Sequence, residues 1–235
     1  MTADMASRLQ HLRDRMAQAC ERAKRPLHDV RLLAVSKLQP IEAIQEAYEL
    51  GLREFGENYI QEYIDKASAL PKDIRWHVIG PVQSNKARFI AEHPPAMLQT
   101  IDRSSIIEAL ESRMAKLHAG KHGATPRLPV LIEVQLAPEA SKSGIAPEQL
   151  PAILARLDES SFLQAQGLMS IPPFIEAEAL RPFHQRLASL LKELNSRRQH
   201  PLQQLSMGMS ADFEVAIEEG ATIVRVGTAL FGPRR

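Results

Sequence analysis

Met5, Leu9, Leu12 and Met16 recur at helical spacing among charged neighbours, which predicts an amphipathic helix from about Ala3 to Lys24. The period then changes. Arg31 to Lys37 is a short apolar run of strand length, followed by Pro40 at a helix start, then Ile41, Ile44, Ala47 and Tyr48, with Gly51 as a stop. This strand-helix alternation continues down the chain. Arg53 to Gly56 precedes a helix carrying Tyr59, Ile60, Tyr63 and Ile64; Arg75 to Gly80 precedes Ser84 to Glu92; Met97 to Ile101 precedes Ser104 to Leu117. Pro129 to Leu136 precedes Pro147 to Leu157, and Gly167 to Ile171 precedes a long helix with Leu180, Phe183, Leu187, Leu190, Leu191 and Leu194. Leu202 to Ser206 leads into Ser210 to Glu219, closed by Gly220, and Thr222 to Gly227 is the last strand.

About eight strands separated by helices require parallel pairing, because only a crossover helix returns the chain to the same sheet edge. Even spacing, and the lack of a glycine-rich dinucleotide fingerprint after the first strand, favour closure as a single (β/α)8 TIM barrel over an open doubly wound sheet. The expected division is residues 1–30 as an N-terminal helix packed on the barrel and residues 31–235 as the barrel, one domain overall. The stretch from His118 to Pro126 reads as a surface loop. His118 and His122 are four apart, but Gly120 and Gly123 oppose a helix presenting both to a metal, and no metal site is expected.

Composition narrows the function classes. Lys+Arg 29 against Asp+Glu 28 leaves a formal net charge of +1, too little to favour nucleic acid or an anionic membrane surface. No stretch approaches the ~18 apolar residues of a membrane span, and the start of the chain lacks an export signal. One cysteine, Cys20, excludes an internal disulfide framework and suits a reducing compartment, so cytoplasm is expected. Motifs of serine hydrolases, P-loop proteins and zinc proteases are missing.

In a barrel the chemistry sits at the carboxyl ends of the strands. Lys37 ends the first strand, where an ammonium either snorkels to water or, desolvated, becomes a nucleophilic amine able to capture an aldehyde. Ser206-Met-Gly-Met-Ser210 follows the seventh strand, with Ser210 expected as the cap of the next helix, and Gly227-Thr228 follows the eighth. Hydroxyls and free amides after two adjacent strands suit a phosphate, although a plain helix cap and a tight turn give the same pattern. Arg225 lies inside an apolar strand and needs either a protein acceptor or a ligand heteroatom. Asn58 follows the second strand and serves equally as a helix cap or a ligand contact. His77 reads as a hydrogen-bonded core residue, Met169, Met207 and Met209 as packing, and Lys142 as exposed.

Leu33-Ala-Val-Ser-Lys37, Phe55-Gly-Glu-Asn-Tyr59, Trp76-His-Val-Ile-Gly80, Ser141-Lys-Ser-Gly144, Ser206-Met-Gly-Met-Ser210 and Val224-Arg-Val-Gly-Thr228 together resemble the pyridoxal phosphate homeostasis proteins, single-domain relatives of alanine racemase. The resemblance implies a (β/α)8 barrel that binds pyridoxal 5′-phosphate (PLP) as a covalent Schiff base on Lys37. Ser210, Gly227 and Thr228 would hold the phosphate, Arg225 would face the pyridine nitrogen, and Asn58 and Ser206 would complete the cofactor site. It also implies control of intracellular PLP, with effects on amino-acid and keto-acid metabolism, without enzymatic turnover. Expected partners are PLP and the PLP-dependent apoenzymes that receive it, and the chain is expected to be a monomer. The chain departs from common relatives at Leu38-Gln39 and in its tail, Gly232 to Arg235. The rival reading is a PLP-dependent amino-acid racemase. Racemisation needs acid-base groups on both faces of the cofactor. In the racemases that this barrel resembles, one is a tyrosine from a C-terminal β-domain, whereas the tyrosines here, Tyr48, Tyr59 and Tyr63, belong to the first two helical units.

Overall fold

The computed structural model describes residues 4–120, 126–137 and 143–233. His122, Lys142 and the tail residues Arg234 and Arg235 lie outside the described residues, as does Ala3. Eight parallel strands follow in chain order around a closed barrel: β1 (Arg31–Val35), β2 (Glu54–Glu57), β3 (Arg75–Val78), β4 (Met97–Ile101), β5 (Leu128–Glu133), β6 (Leu163–Met169), β7 (Gln204–Ser206) and β8 (Ile223–Val226). Closure comes from β1 against β8, with Leu33 opposite Arg225 and Ala34 opposite Val226. The helices between them are α2 (Ile41–Glu49), α3 (Ile60–Ala69), α4 (Ala87–Glu92), α5 (Ser104–His118), α6 (Leu150–Asp158), α7 (Arg181–Asn195) and α8 (Phe213–Glu218), preceded by α1 (Met5–Arg22) and followed by α9 (Thr228–Phe231). No described helix is long and apolar enough to cross a membrane.

Strand alternation divides the core into two layers. Phe55, Val78, Leu98, Val130, Ile132, Leu168, Val224 and Val226 belong to the layer between sheet and helices. Leu33, Ile79, Met97, Leu131, Met169 and Ile223 form a second cluster that fills the barrel. α1 buries Met5, Leu9, Leu12, Met16, Ala19 and Cys20, the stripe that its sequence predicts. Along one edge of that stripe Arg15 makes a two-pronged ion pair with Glu214 and Arg22 reaches Glu218, while Arg8 Nε donates to the Leu230 carbonyl, so α1 is fastened to α8 and α9.

Three local expectations are corrected. β6 begins at Leu163, four residues before Gly167, because Leu163, Gln164 and Ala165 already pair with β5 and Gln166 is skipped where the register shifts, although Gln164 to Gln166 are not deeply buried and show no apolar alternation. Ser84 to Lys86 forms a tight 3-10 turn ahead of α4. Ser210 does not cap α8, which starts at Phe213 with Asp212 in the cap position.

Candidate functional site at the barrel mouth

β1 leaves the barrel at Val35, which puts Ser36 and Lys37 at the carboxyl-end mouth. Ser36 is buried; its amide donates to Gly56 O at 3.0 Å and its hydroxyl to Glu57 Oε1 at 2.6 Å. Two further bonds pin the turn on which Lys37 sits. Lys66 Nζ donates to Ser36 O at 2.8 Å, and the Leu38 amide donates to Glu62 Oε1 at 2.6 Å. Leu38 takes a φ of 61°, a left-handed conformation that costs a branched residue about 1 kcal/mol or more and persists because the surrounding bonds dictate it. Lys66 also donates to Glu57 Oε1 at 2.9 Å and Glu62 Oε1 at 2.7 Å, forming a buried cluster under the turn. Burial pushes the Glu57 carboxyl up, opposed by the hydrogen bonds from Ser36 and Lys66.

On the neighbouring strands, Ser206 and Arg225 meet directly. Arg225 Nη1 donates to both the carbonyl and the hydroxyl of Ser206 at 2.8 Å, and Nη2 donates to Ser170 O at 2.8 Å. Burial pushes this guanidinium down to about 10, which leaves it a cation at neutral pH. Beyond β7, Gly208 has a φ of 87°, and a Cβ there would lie 2.5 Å from the Ala216 Cβ, so the turn admits glycine alone. Asp212 closes this turn: its Oδ1 accepts the Met209 amide at 2.8 Å and its Oδ2 pairs with His184 Nε2 at 2.9 Å, with both side chains buried. That bond is why α8 starts late and why Ser210 stands clear of it.

Ser210 Oγ instead accepts the Ala229 amide at 3.4 Å, joining the loop after β7 to the start of α9. Gly227 precedes α9 and Thr228 is its first residue; a Cβ on Gly227 would sit 3.3 Å from the Val35 carbonyl. Among the described residues the amides of Ser210, Ala211 and Thr228 donate to no acceptor. Two hydroxyls, three open amides and a position without a side chain therefore gather between the ends of β7 and β8, which suits a phosphate.

Among the described residues three buried polar atoms at the strand ends also lack partners, Glu57 Oε2, Glu133 Oε2 and Ser170 Oγ. Glu133 Oε1 accepts the Ser143 hydroxyl at 2.7 Å. Burial pushes the Glu133 carboxyl up and nearby Asp102 adds to this, against the pull of Ser143 and Arg225. Orphaned buried atoms are rare in finished cores and common where a ligand completes the bonding. The residues present thus fit a polar ligand that carries a phosphate. Asn58 stands apart: it lines a rim cavity of about 480 Å³ with Tyr59, Gln61, Pro81, Gln83 and Phe89, and no hydrogen bond joins it to the other candidates. Residues that sequence reasoning passed over are Glu133 and Asp212, each an acidic side chain at a strand end or helix start, and Lys66 and His184, which sit in helices with no local mark of their role.

Residues 7–235 match the alanine racemase N-terminal domain. The pyridoxal phosphate homeostasis protein of Pseudomonas aeruginosa is 47% identical over 223 residues, covering 94% of this chain and 91% of the relative. The protein of the same name from Escherichia coli K12 is 42% identical over 238 residues, covering 98% and 97%. This chain belongs to the pyridoxal phosphate homeostasis protein family. Among solved structures, the family member PipY of Synechococcus elongatus superposes with a TM-score of 0.83 without PLP, at 36% identity, covering 97% of this chain and all of PipY. With PLP bound, PipY superposes at 0.81 and 37% identity, again over 97% of this chain and 100% of PipY. Alanine racemase from Bacillus anthracis shares the fold at a TM-score of 0.64 and 18% identity; 96% of the homeostasis-family chain aligns, with 56% of that enzyme.

Proposed function

We propose that the protein binds PLP reversibly at the barrel mouth and serves as a carrier that buffers and delivers the cofactor in the cytoplasm. The observation that carries this reading is the convergence, on three adjacent strands, of a lysine after β1, a buried arginine in β8 and a cluster of open amides and hydroxyls between the ends of β7 and β8. PLP supplies an aldehyde that an amine captures covalently as a Schiff base. Lys37 provides that amine, on a turn fixed from below by Lys66 and Glu62. Ser210, Gly227 and Thr228 hold the phosphate, Arg225 meets the ring nitrogen, Ser206 backs Arg225, and Asn58 closes the rim. A cationic donor at the ring nitrogen disfavours ring protonation and weakens the ring as an electron sink, but alanine racemase shares that arrangement, so it does not separate carrier from racemase.

Delivery needs an approachable mouth. Leu38, Tyr59, Ile171 and Ile175 are exposed around it and Phe174 is 99% exposed, an apolar rim consistent with docking of PLP-dependent apoenzymes by a monomeric carrier. Tyr48 is held by Asp73, and Tyr63 is buried, donates to His93 O and is pushed up to about 12 by burial, so neither is placed to exchange a proton at the mouth.

The test is borohydride reduction of the PLP-loaded protein followed by peptide mapping. One pyridoxyl group on Lys37, out of nine lysines, is expected. A label elsewhere, with Lys37→Ala keeping the wild-type spectrum, refutes the assignment.

A further inference from the structure

The barrel is not apolar throughout. Arg225 Nη1 donates to Ser206 Oγ at 2.8 Å, and Ser206 Oγ donates to Gln99 Oε1 at 2.6 Å. Gln99 Nε2 lies 2.8 Å from His77 Nδ1, and His77 Nε2 lies 2.6 Å from Glu54 Oε2. Arg75 Nε then donates to Glu54 Oε1 at 2.8 Å. Glu54 is the first residue of β2, at the barrel floor, whereas Ser206 is the last of β7, at the mouth. An unbroken chain of bonds therefore crosses the barrel from end to end through Ser206, Gln99 and His77, each at most 1% exposed.

Its direction is fixed by chemistry. A guanidinium only donates and a carboxylate only accepts. Ser206 Oγ receives from Arg225 and spends its one hydrogen on Gln99, so the Gln99 carbonyl faces Ser206 and its amino group faces His77. His77 Nδ1 must then accept, which puts the ring proton on Nε2 and donates it to Glu54. Burial pushes His77 down against the pull of Glu54, in keeping with that neutral ring. Every dipole in the chain points the same way, negative end toward Arg225. This supports the arginine, which no carboxylate touches among the described residues and which Asp212 and Glu133 favour only from farther off.

We infer that Ser206, Gln99 and His77 are positioning residues that fix the plane of the Arg225 guanidinium and couple its charge to the Glu54 carboxylate on the opposite face of the barrel. The inference rests on the reading above, in which Arg225 meets the ring nitrogen of PLP. It deepens that reading by making the electronic environment of the ring depend on residues that never touch it.

Two substitutions break the chain at buried sites, Gln99→Leu and His77→Leu. His77→Gln preserves it, since an amide both accepts from Gln99 and donates to Glu54. Each leucine variant is expected to bind PLP about tenfold more weakly, in line with one lost hydrogen bond to a charged group, and to shift the absorption maximum of bound PLP. His77→Gln is expected to restore both. With ¹⁵N-labelled histidine, wild-type protein free of PLP should show His77 protonated on Nε2 alone. Adding PLP should move the His77 resonances, and Gln99→Leu should abolish the movement. His77 protonated on Nδ1, or Gln99→Leu with wild-type affinity and spectrum, overturns the inference. Failure of wild-type protein to bind PLP sinks the functional reading instead, and the tautomer of the free protein still judges the chain.

Discussion

The Lys66 cluster permits a worked test of how the Lys37 turn is held. Lys66→Met keeps the length and apolar stem of the side chain but removes three donated bonds, to Ser36 O, Glu57 Oε1 and Glu62 Oε1. Glu62 is partly exposed and recovers by solvation, so its loss counts for ~0.5 kcal/mol. Glu57 is fully buried and keeps only the Ser36 hydroxyl, with its other oxygen already unpartnered. Removing one member of a buried pair costs about 3–5 kcal/mol, and in a domain of this size each kcal/mol lowers Tm by roughly 2–4 °C. With the Glu62 contribution the total is about 3.5–5.5 kcal/mol, so a fall of about 7–22 °C is expected at pH 7.5, measured by calorimetry and by urea titration. Glu57 already has its carboxyl raised by burial, and losing the cation raises it further. A raised carboxyl favours folding below its unfolded value and loses that advantage as pH climbs through the folded one. The deficit of Lys66→Met should therefore shrink between pH 7.5 and pH 5. Lys66→Met combined with Glu57→Gln should recover most of the loss at pH 7.5. A cost below ~1 kcal/mol, or a double variant no better than the single, would show that the pair does not hold this turn.

Ser210→Ala should weaken PLP binding by about one to two decades, the value of a hydrogen bond to a charged group, while barely changing affinity for unphosphorylated pyridoxal; equal losses by fluorescence titration would make Ser210 a structural residue. Gly208→Ala should destabilise the fold by roughly 1–3 kcal/mol, because φ is 87° and Ala216 blocks the new methyl; an unchanged urea midpoint contradicts this. Burial lowers the His77 pKa in the folded state against the pull of Glu54, so unfolding takes up protons as pH drops through its unfolded value near 6.5, and stability falls with it. His77→Gln should flatten the Tm loss between pH 7.5 and 5.5, and parallel curves would argue against the assignment. PLP-loaded protein incubated with L-alanine should yield no more D-alanine than free PLP by chiral chromatography, and Lys37-dependent turnover would reinstate the racemase reading.

The barrel was legible because its signals are periodic and local: apolar runs of strand length, proline at helix starts, and glycine at stops such as Gly51 and Gly220, both with positive φ. β6 was misplaced where that periodicity lapses, at Gln164 to Gln166. Lys37, Arg225 and Ser206 stand out because a polar residue inside an apolar strand or at its end is conspicuous in a linear reading. The bond between Ser206 and Arg225 was not visible, nor was the chain through Gln99 and His77, since each link joins different strands. Ser206 and Gln99 are 107 positions apart. Lys66 gave no signal for a simpler reason: a lysine in an amphipathic helix normally faces water, and only the β2 carboxylate behind it draws it inward.

The fastening of α1 onto α8 and α9 bears on the order in which the molecule is made. Arg15 and Glu214 are 199 positions apart, Arg22 and Glu218 are 196 apart, and Arg8 and Leu230 are 222 apart. A ribosome delivers the first helix long before it delivers the residues that cover it. Until then the stripe from Met5 to Cys20 lacks that cover, and β1 lacks the neighbour that closes the barrel. The proposed phosphate gap is formed from the same late segment, after β7 and β8. A nascent chain therefore cannot assemble this site piecemeal: competence to take up ligand arrives only once β7, β8 and α9 have all emerged, in the same step that shelters α1.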